Sequence, residues 1–408
     1  MTWVVVIFGL ALLVFLHELG HFSVARLVGM KPRAFYLGFP PAVVTVRRNG
    51  VEYGIGAVPL GGYVRIPGML RPSAEDFQAQ VSPALEEQPA LVPAAQAVRE
   101  PLAGGDYAGA RAALPALGTE LGQAQLSASA RRSSQQAVRD VDEGTGADAY
   151  WRQHTWKRVA AIAAGPCMNV LVAFLIFFAV YLTGAPSQKP STEVAQVQAG
   201  TPAAAAGLRA GDRIVAVDGK PTPTFGRVAT VVRGSHGRPI SVTVERGGRT
   251  VTLGPRRTVE RQGRWVWGFE PASLLVSHSA GESSRLAIGD CWRVITGTVD
   301  SLAALVHGSN GAQVSGPVGI VRTSAQVLRI GFQWYLELLA VISMSLALFN
   351  LLPFLPLDGG NIVFALIEGV RGRSVPRAVY QRASMFGMAL ILLVAVIAFS
   401  NDIGAPLR

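Results

Sequence analysis

Charge is what this sequence has least of. Only 15% of its 408 residues are Asp, Glu, Lys or Arg, against about 25% in soluble domains. With half of the residues hydrophobic and a mean hydropathy of +0.34, that shortfall excludes one large soluble fold and indicates a membrane protein. Cysteine is nearly missing. Cys167 and Cys291 stand far apart, so neither a disulfide framework nor a thiolate metal site is suggested. Glycine and proline are plentiful but recur at no fixed period, which excludes a repeat architecture. The net charge of +11 comes mostly from Arg spread over loops. No basic patch interleaved with aromatics exists, so nucleic acid is excluded as a partner, and the charge reads as membrane anchoring and topology. No Lys or Arg precedes Arg26 and no small-residue cleavage site follows the first apolar run. Residues 2–28 are therefore expected to be a retained transmembrane helix, not a signal peptide.

Against this apolar background one polar cluster stands out. Phe15-Leu16-His17-Glu18-Leu19-Gly20-His21 reads H-E-x-x-H and follows an unbroken apolar run from residue 3 to 16. On a helix, positions i and i+4 share a face, so His17 and His21 point the same way. Two imidazoles at that spacing chelate one Zn²⁺, with Glu18 beside them as general base. The pattern alone also arises by chance. Its setting argues for function, because three ionisable groups clustered in a membrane segment are costly and demand a partner.

Taken in order, residues 1–30 form the first transmembrane helix and residues 31–70 a β segment. Two runs, 42–48 and 51–58, flank Asn49-Gly50, a two-residue hairpin turn, and residues 59–67 extend them. Such a sheet either offers an edge strand or is an ordinary surface hairpin. Residues 71–152 are dominated by Ala, Gln, Ser, Pro and Gly, predicting a flexible or partly helical insertion with no packed core. Residues 153–184 hold the second span. Its Gly165-Pro166-Cys167-Met168-Asn169 predicts close helix packing and an internal hydrogen bond. Residues 190–256 alternate short β runs with turns such as Asp218-Gly219. The stretch from Thr201-Pro202 through Gly207-Leu208-Arg209-Ala210-Gly211-Asp212-Arg213-Ile214 to Val217-Asp218-Gly219 resembles a bacterial PDZ domain, a module that binds extended peptides by strand addition. A small β barrel without a ligand is the alternative. Residues 257–330 read as a linker with an amphipathic helix over 282–307 and a turn over 315–320. Residues 331–360 form the third span, broken near its end by Pro353, Pro356, Gly359 and Gly360. Residues 361–383 are a cytoplasmic loop and residues 384–401 the fourth span.

The fold class is thus membrane α-helical: four transmembrane helices, a membrane-associated β segment and a β-rich PDZ domain. Positive charge flanks the loops between spans 1 and 2 and between spans 3 and 4, whereas the C-terminal tail has only Arg408. The positive-inside rule then places both termini and the PDZ domain outside the cytoplasm. His17 lies about 22 Å along the first helix, toward the cytoplasmic leaflet. Asp358 closes the third span at the same depth, next to glycines that let backbone approach closely. Asp358 is the expected third ligand, and His₂Asp with an open position is a catalytic zinc arrangement.

Four features in this order resemble the site-2 protease family of intramembrane zinc metalloproteases, in its RseP-type bacterial branch that cleaves anti-sigma factors. They are His17-Glu18-Leu19-Gly20-His21, Gly165-Pro166-x-x-Asn169, the PDZ-like module, and Asn350-x-x-Pro353-x-x-Pro356-Leu357-Asp358-Gly359-Gly360. The likeness covers nearly the whole chain except residues 70–150. It departs in that long insertion, in a single PDZ domain, and in Asn361, where His or Arg is more usual. The resemblance implies hydrolysis of peptide bonds in single-pass transmembrane protein substrates, in regulated proteolysis or clearance of signal-peptide remnants. It implies Zn²⁺ on His17, His21 and Asp358, and Glu18 as general base. It also implies that Asn350 hydrogen-bonds exposed substrate backbone, and that Gly61, Gly62 and Tyr63 belong to a strand that seats it. Partners would be the lipid bilayer of a bacterial inner membrane and a peptide on the PDZ domain. A catalytically silent peptide-binding scaffold and a transporter with a broken helix are the competing classes; no internal repeat supports the transporter.

Overall fold

The computed structural model describes residues 2–261, 263–306 and 316–404. His307, Ser315 and Arg408, used in the sequence reading, lie outside them. Two compact units result. The first comprises residues up to Ile176, Gly289–Gly331 and residues from Leu338; the second comprises Phe177–Ile288 and Phe332–Glu337.

The first unit opens with helix α1 (Thr2–Leu27). Its 26 residues run about 39 Å, more than the ~30 Å hydrocarbon core of a bilayer. Val6, Gly9, Leu13, His17, His21 and Ala25 form its buried stripe. Strands β1 (Ala34–Arg48) and β2 (Val51–Arg65) follow. They turn at Asn49 and Gly50, both at positive φ, as a two-residue hairpin requires. Residues 34–37 lie beside 52–55 on one side and 62–65 on the other. Among the described residues, 62–65 pairs with no other strand, so it forms an edge.

Residues 71–152 overturn the expectation of a flexible insertion without a core. Helices α2 (Ala74–Glu87), α3 (Val92–Gly104), α4 (Tyr107–Gln123) and α5 (Ala128–Thr145) enclose Phe77, Val81, Leu91, Val98, Leu102, Leu114, Leu117 and Val141. Bulky residues are few, but helical spacing puts them on inward faces, and alanines let the helices close on them. Ser73, Asp106 and Ser127 each accept a backbone N–H as N-caps, satisfying amides a helix start leaves free.

Helix α6 (Thr155–Thr183) leads into the second unit, a mixed module wider than the expected 190–256. It comprises β3 (Ala185–Val197), α7 (Pro202–Ala205), β4 (Arg213–Val217), β5 (Lys220–Pro221), α8 (Phe225–Arg233), β6 (Pro239–Arg246), β7 (Arg249–Arg257), β8 (Val259–Arg261), β9 (Arg264–Val266) and β10 (Phe269–Val276). Sheet order is β10-β3-β4-β6-β7, with β5 on β4 and β8 paired to β9. Part of the expected linker is therefore sheet. Pro271 disguised β10, yet proline is tolerated there because β10 is an edge. Val194, Ile214, Val217, Val228, Ile240, Val244 and Trp267 fill the core.

After α9 (Ala280–Val306), helix α10 (Pro317–Ile330) packs on α1 and on α13. Helix α11 (Phe332–Asn350) is followed by α12 (Asp358–Arg371) and α13 (Arg377–Gly404). The third span thus stops at Asn350, and Asp358 opens a new helix. The expected loop 361–383 is helical as far as Arg371, because Ile362 and Ala365 turn inward and no left-handed glycine intervenes before Gly372. Among the described residues, four helices, α1, α6, α11 and α13, are long and apolar enough to cross a membrane. Val4, Ile7 and Phe8 of α1 and Phe386, Leu393 and Phe399 of α13 are exposed, as in an integral membrane protein.

One ion pair anchors the second unit. Asp212 accepts from Arg246 Nε and Nη2, both at 2.6 Å, and from the Arg209 N–H at 2.8 Å. Burial would raise its pKa, but these bonds outweigh it and hold the carboxyl below the usual range. A carboxyl held low in the folded state stabilises above its unfolded pKa and ceases to as pH falls through the folded value. Asp212→Asn is expected to weaken the module at pH 7 by about 2 kcal/mol. The difference should begin to shrink below about pH 4 and close as pH falls through the lower folded value, as read by hydrogen exchange in β4 and β6.

Candidate metal centre

The centre is built on the approach of α6 to α1. Gly20 permits it: a Cβ there would meet the Ala164 carbonyl and, at 3.0 Å, the Met168 Cβ. The approach sets the Ala161 carbonyl 3.0 Å from His21 Nδ1. That carbonyl takes the ring proton at Nδ1 and leaves the Nε2 lone pair free to ligate. Gly165, one turn along α6, faces the same ring; a Cβ there would fall on the imidazole. Close packing at Gly165 is thus as the sequence suggested. Asn169 differs. Its buried carbonyl accepts from Ser343 Oγ at 2.9 Å, while among the described residues its side-chain amide has no hydrogen-bond partner.

Asp358 reaches the histidines from the far end of the chain. After α11, residues 351–357 fold back across the start of α12. The Phe354 N–H donates to the Leu352 carbonyl and the Leu357 N–H to the Phe354 carbonyl. A side chain at Gly359 would strike the backbone of Leu351 and Leu352, and one at Gly360 that of Phe354 and Leu355. The pair of glycines after Asp358 is therefore a steric requirement.

Asp358 Oδ2 lies 3.3 Å from His17 Nε2 and 3.3 Å from His21 Nε2, and the two Nε2 atoms are 3.2 Å apart. Tetrahedral ligands about 2.0–2.1 Å from one zinc ion stand about 3.3 Å from each other. Two imidazoles and a carboxylate at these separations fit zinc. Both histidines are 6% exposed. Asn350 Nδ2, at the end of α11, lies 3.3 Å from His17 Nε2.

Glu18 lies beneath the edge strand. At Gly62 a Cβ would come within 2.8 Å of Glu18 Cγ and 2.7 Å of the Tyr36 carbonyl oxygen, so the strand crosses Glu18 where it has no side chain. Gly61 has φ +91, in the region that favours glycine. Tyr63 stacks on Tyr36, with ring centroids 5.3 Å apart. Tyr36 was missed by the sequence reading. Its hydroxyl donates to Glu52, which also accepts from Arg47 Nε at 2.7 Å. Burial, then Glu52, pushes the Tyr36 hydroxyl up to about 12, while bonds from Tyr36 and Arg47 hold Glu52 low. Ala161 was missed as well; the small residues at 161, 164 and 165 were the available signal.

Four apolar helices and a cluster of two buried histidines and a half-buried aspartate beside a glutamate define a membrane metalloenzyme. Comparison with known proteins gives its family. The family model for peptidase family M50 matches residues 5–394, and the chain belongs to that family. It is 30% identical to the zinc metalloprotease RasP of Geobacillus kaustophilus, over 98% of this chain and 96% of the relative. It is 29% identical to the regulator of sigma-W protease RasP of Bacillus subtilis, over 98% and 97%. A protein of Agrobacterium fabrum named as a candidate zinc metalloprotease is 31% identical over 97% and 94%. The chain is a zinc metalloprotease, and its cofactor is Zn²⁺.

The glycines give a paired expectation. Gly165→Ala should displace His21 and sharply lower bound zinc, whereas Gly62→Ala should keep zinc and impair cleavage. Metal analysis of the purified proteins separates the two; full zinc in Gly165→Ala would contradict the packing argument.

Proposed function

We propose that this protease cleaves transmembrane segments of single-pass membrane proteins, with His17, His21 and Asp358 holding Zn²⁺ and Glu18 as general base. The observation that carries the reading is the convergence of three ligand atoms within 3.2–3.3 Å of one another, beside a carboxylate over which an edge strand passes. When bound, zinc supplies Lewis acidity, polarising the scissile carbonyl and lowering the pKa of water toward ~7. Glu18 accepts the proton of the attacking water and returns it to the leaving amine. His21 is kept in register by the Ala161 carbonyl. A substrate helix hides its carbonyls in i→i−4 bonds, so it must unwind. Residues 61–63 seat the unwound segment as an added strand, and the Asn350 amide bonds its backbone.

The positive-inside pattern supports both termini and the module of 185–276 lying outside the cytoplasm, with the metal toward the cytoplasmic leaflet of a bacterial inner membrane. The module is PDZ-like. A cleft of about 760 Å³ is lined by Phe225, Val228, Val232, Trp267 and Phe269, with Arg233, Arg261 and Arg264 beside them. Apolar lining with basic neighbours suits an extended peptide bearing a carboxylate. The module reads substrates and admits those already trimmed by another protease. By analogy with the relative named for sigma-W regulation, an anti-sigma factor is the favoured substrate class, with remnant signal peptides as the second.

Glu18→Gln is expected to retain zinc and slow cleavage of a transmembrane substrate about 10³-fold. Wild-type cleavage by the purified variant would remove Glu18 from the mechanism. Removal of 185–276 should admit full-length substrate that the intact enzyme rejects; unchanged selectivity in a zinc-loaded, active variant would remove the filter.

A further inference from the structure

The helical domain of 74–145 begins and ends at the strand that crosses Glu18. The chain leaves that strand at Arg65 and, after α5, comes back to Pro67 and Gly68 just past its end. Tyr150 N–H donates to the Pro67 carbonyl at 2.9 Å and Trp151 N–H to the Gly68 carbonyl at 3.2 Å. Arg33 and Arg65 stand side by side, since Arg33 N–H donates to the Arg65 carbonyl at 2.8 Å. Two adjacent guanidinium groups repel unless an anion separates them. Glu143 of α5 does so. Its Oε2 is 2.9 Å from Arg65 Nη2 and its Oε1 3.5 Å from Arg33 Nε. Asp148 approaches Arg33 Nη2 at 3.1 Å and Asp140 approaches Arg65 Nη1 at 3.7 Å. Glu143 is 19% exposed, so water screens its pairs less than it would on an open surface. Arg65 is three residues from Gly62, about 10 Å along one extended strand.

We propose that the helical domain is a positioning element for peptide-bond hydrolysis. Through Glu143 it fixes Arg65, and with Arg65 the strand that seats substrate beside Glu18. Arg33, Arg65 and Glu143 act as positioning residues, remote from the reacting atoms. The inference rests on the reading of 61–63 as the substrate strand. The domain thereby becomes part of substrate binding: loss of its grip weakens the seating of the peptide and leaves the metal ligands untouched.

The test uses the zinc-loaded full chain in proteoliposomes with a transmembrane peptide substrate. Glu143→Gln should raise KM about fivefold while kcat and bound zinc stay at wild-type values. Arg65→Glu should raise KM as well. Combining Arg65→Glu with Glu143→Arg should recover part of the loss in KM, because residues 65 and 143 again carry opposite charges. Unchanged KM in the single variants, or a double variant no better than either single, overturns the proposal, as does a loss of zinc in parallel with KM. A photo-crosslinking residue in place of Tyr63 separates this proposal from the reading beneath it. Failure to capture substrate in the otherwise wild-type chain overturns the strand reading itself. Capture there, undiminished by Glu143→Gln, overturns the positioning role alone.

Discussion

Everything at the centre depends on backbone approaching backbone around α1. Three candidate ligand atoms 3.2–3.3 Å apart come from α1 and from α12, more than 300 residues further along the chain, and side chains alone cannot close that gap. Gly20 lets the α6 backbone touch α1, Gly165 leaves room for the His21 ring, and Gly359 and Gly360 let the broken end of the third span fold over Asp358. Lipid gives no hydrophobic push between helices, so their association rests on packing of small residues and on hydrogen bonds. The contact of Ala161 with His21 uses both at once: the close approach that packs the helices also delivers the carbonyl that orients the ring.

The same constraint operates on the opposite side of Glu18. The edge strand comes down on the carboxylate at Gly62, and the tyrosines on either side of the pairing stack to hold it level. Tyr36 is tied in turn to Glu52 and Arg47. Chemistry at this site requires water and an unwound peptide, both of which a bilayer opposes. A sheet edge beside Glu18 suits the second requirement, since an edge has N–H and C=O groups left to pair with an extended chain. The break between Asn350 and Asp358 answers the first. Irregular backbone at membrane depth is tolerated where it lines protein or a wet cavity, and that break ends on Asp358, the carboxylate beside the two histidines.

What the sequence disclosed was local or topological. His17 and His21 are legible because an i,i+4 spacing needs no tertiary knowledge. Asp358 is legible because span count and helix rise put it at the depth of His17. Asn49-Gly50 specifies its turn outright. The failures share a physical cause: they depend on packing partners far away in sequence. The helices of 74–145 have few bulky residues, and a count of those residues cannot see that Phe77, Val98 and Leu117 meet in one core. Strand β10 carries a proline that only its edge position excuses. Nothing near Tyr36 announces that it will lie against Tyr63, and Ala161 enters through a carbonyl that every residue possesses.

The helical domain is closed off from the rest of its unit at a single point. Its two ends meet at Pro67–Gly68 and Tyr150–Trp151 through backbone hydrogen bonds, so the path from β2 to α6 is the same whether a short turn or a whole domain lies between. Insertions at such closed points are tolerated because they add no strain to the host and fold on a core of their own. This junction lies where the strand over Glu18 ends. A domain placed there cannot be neutral toward the site unless its surface ignores Arg33 and Arg65. Its surface does the reverse, presenting Asp140 and Glu143, with Asp148 just after α5, to two guanidinium groups that would otherwise repel each other. Without the domain, the adjacent arginines would need other anions, from solvent or from lipid headgroups. With it, the charge balance at the end of the strand over Glu18 is set within the chain.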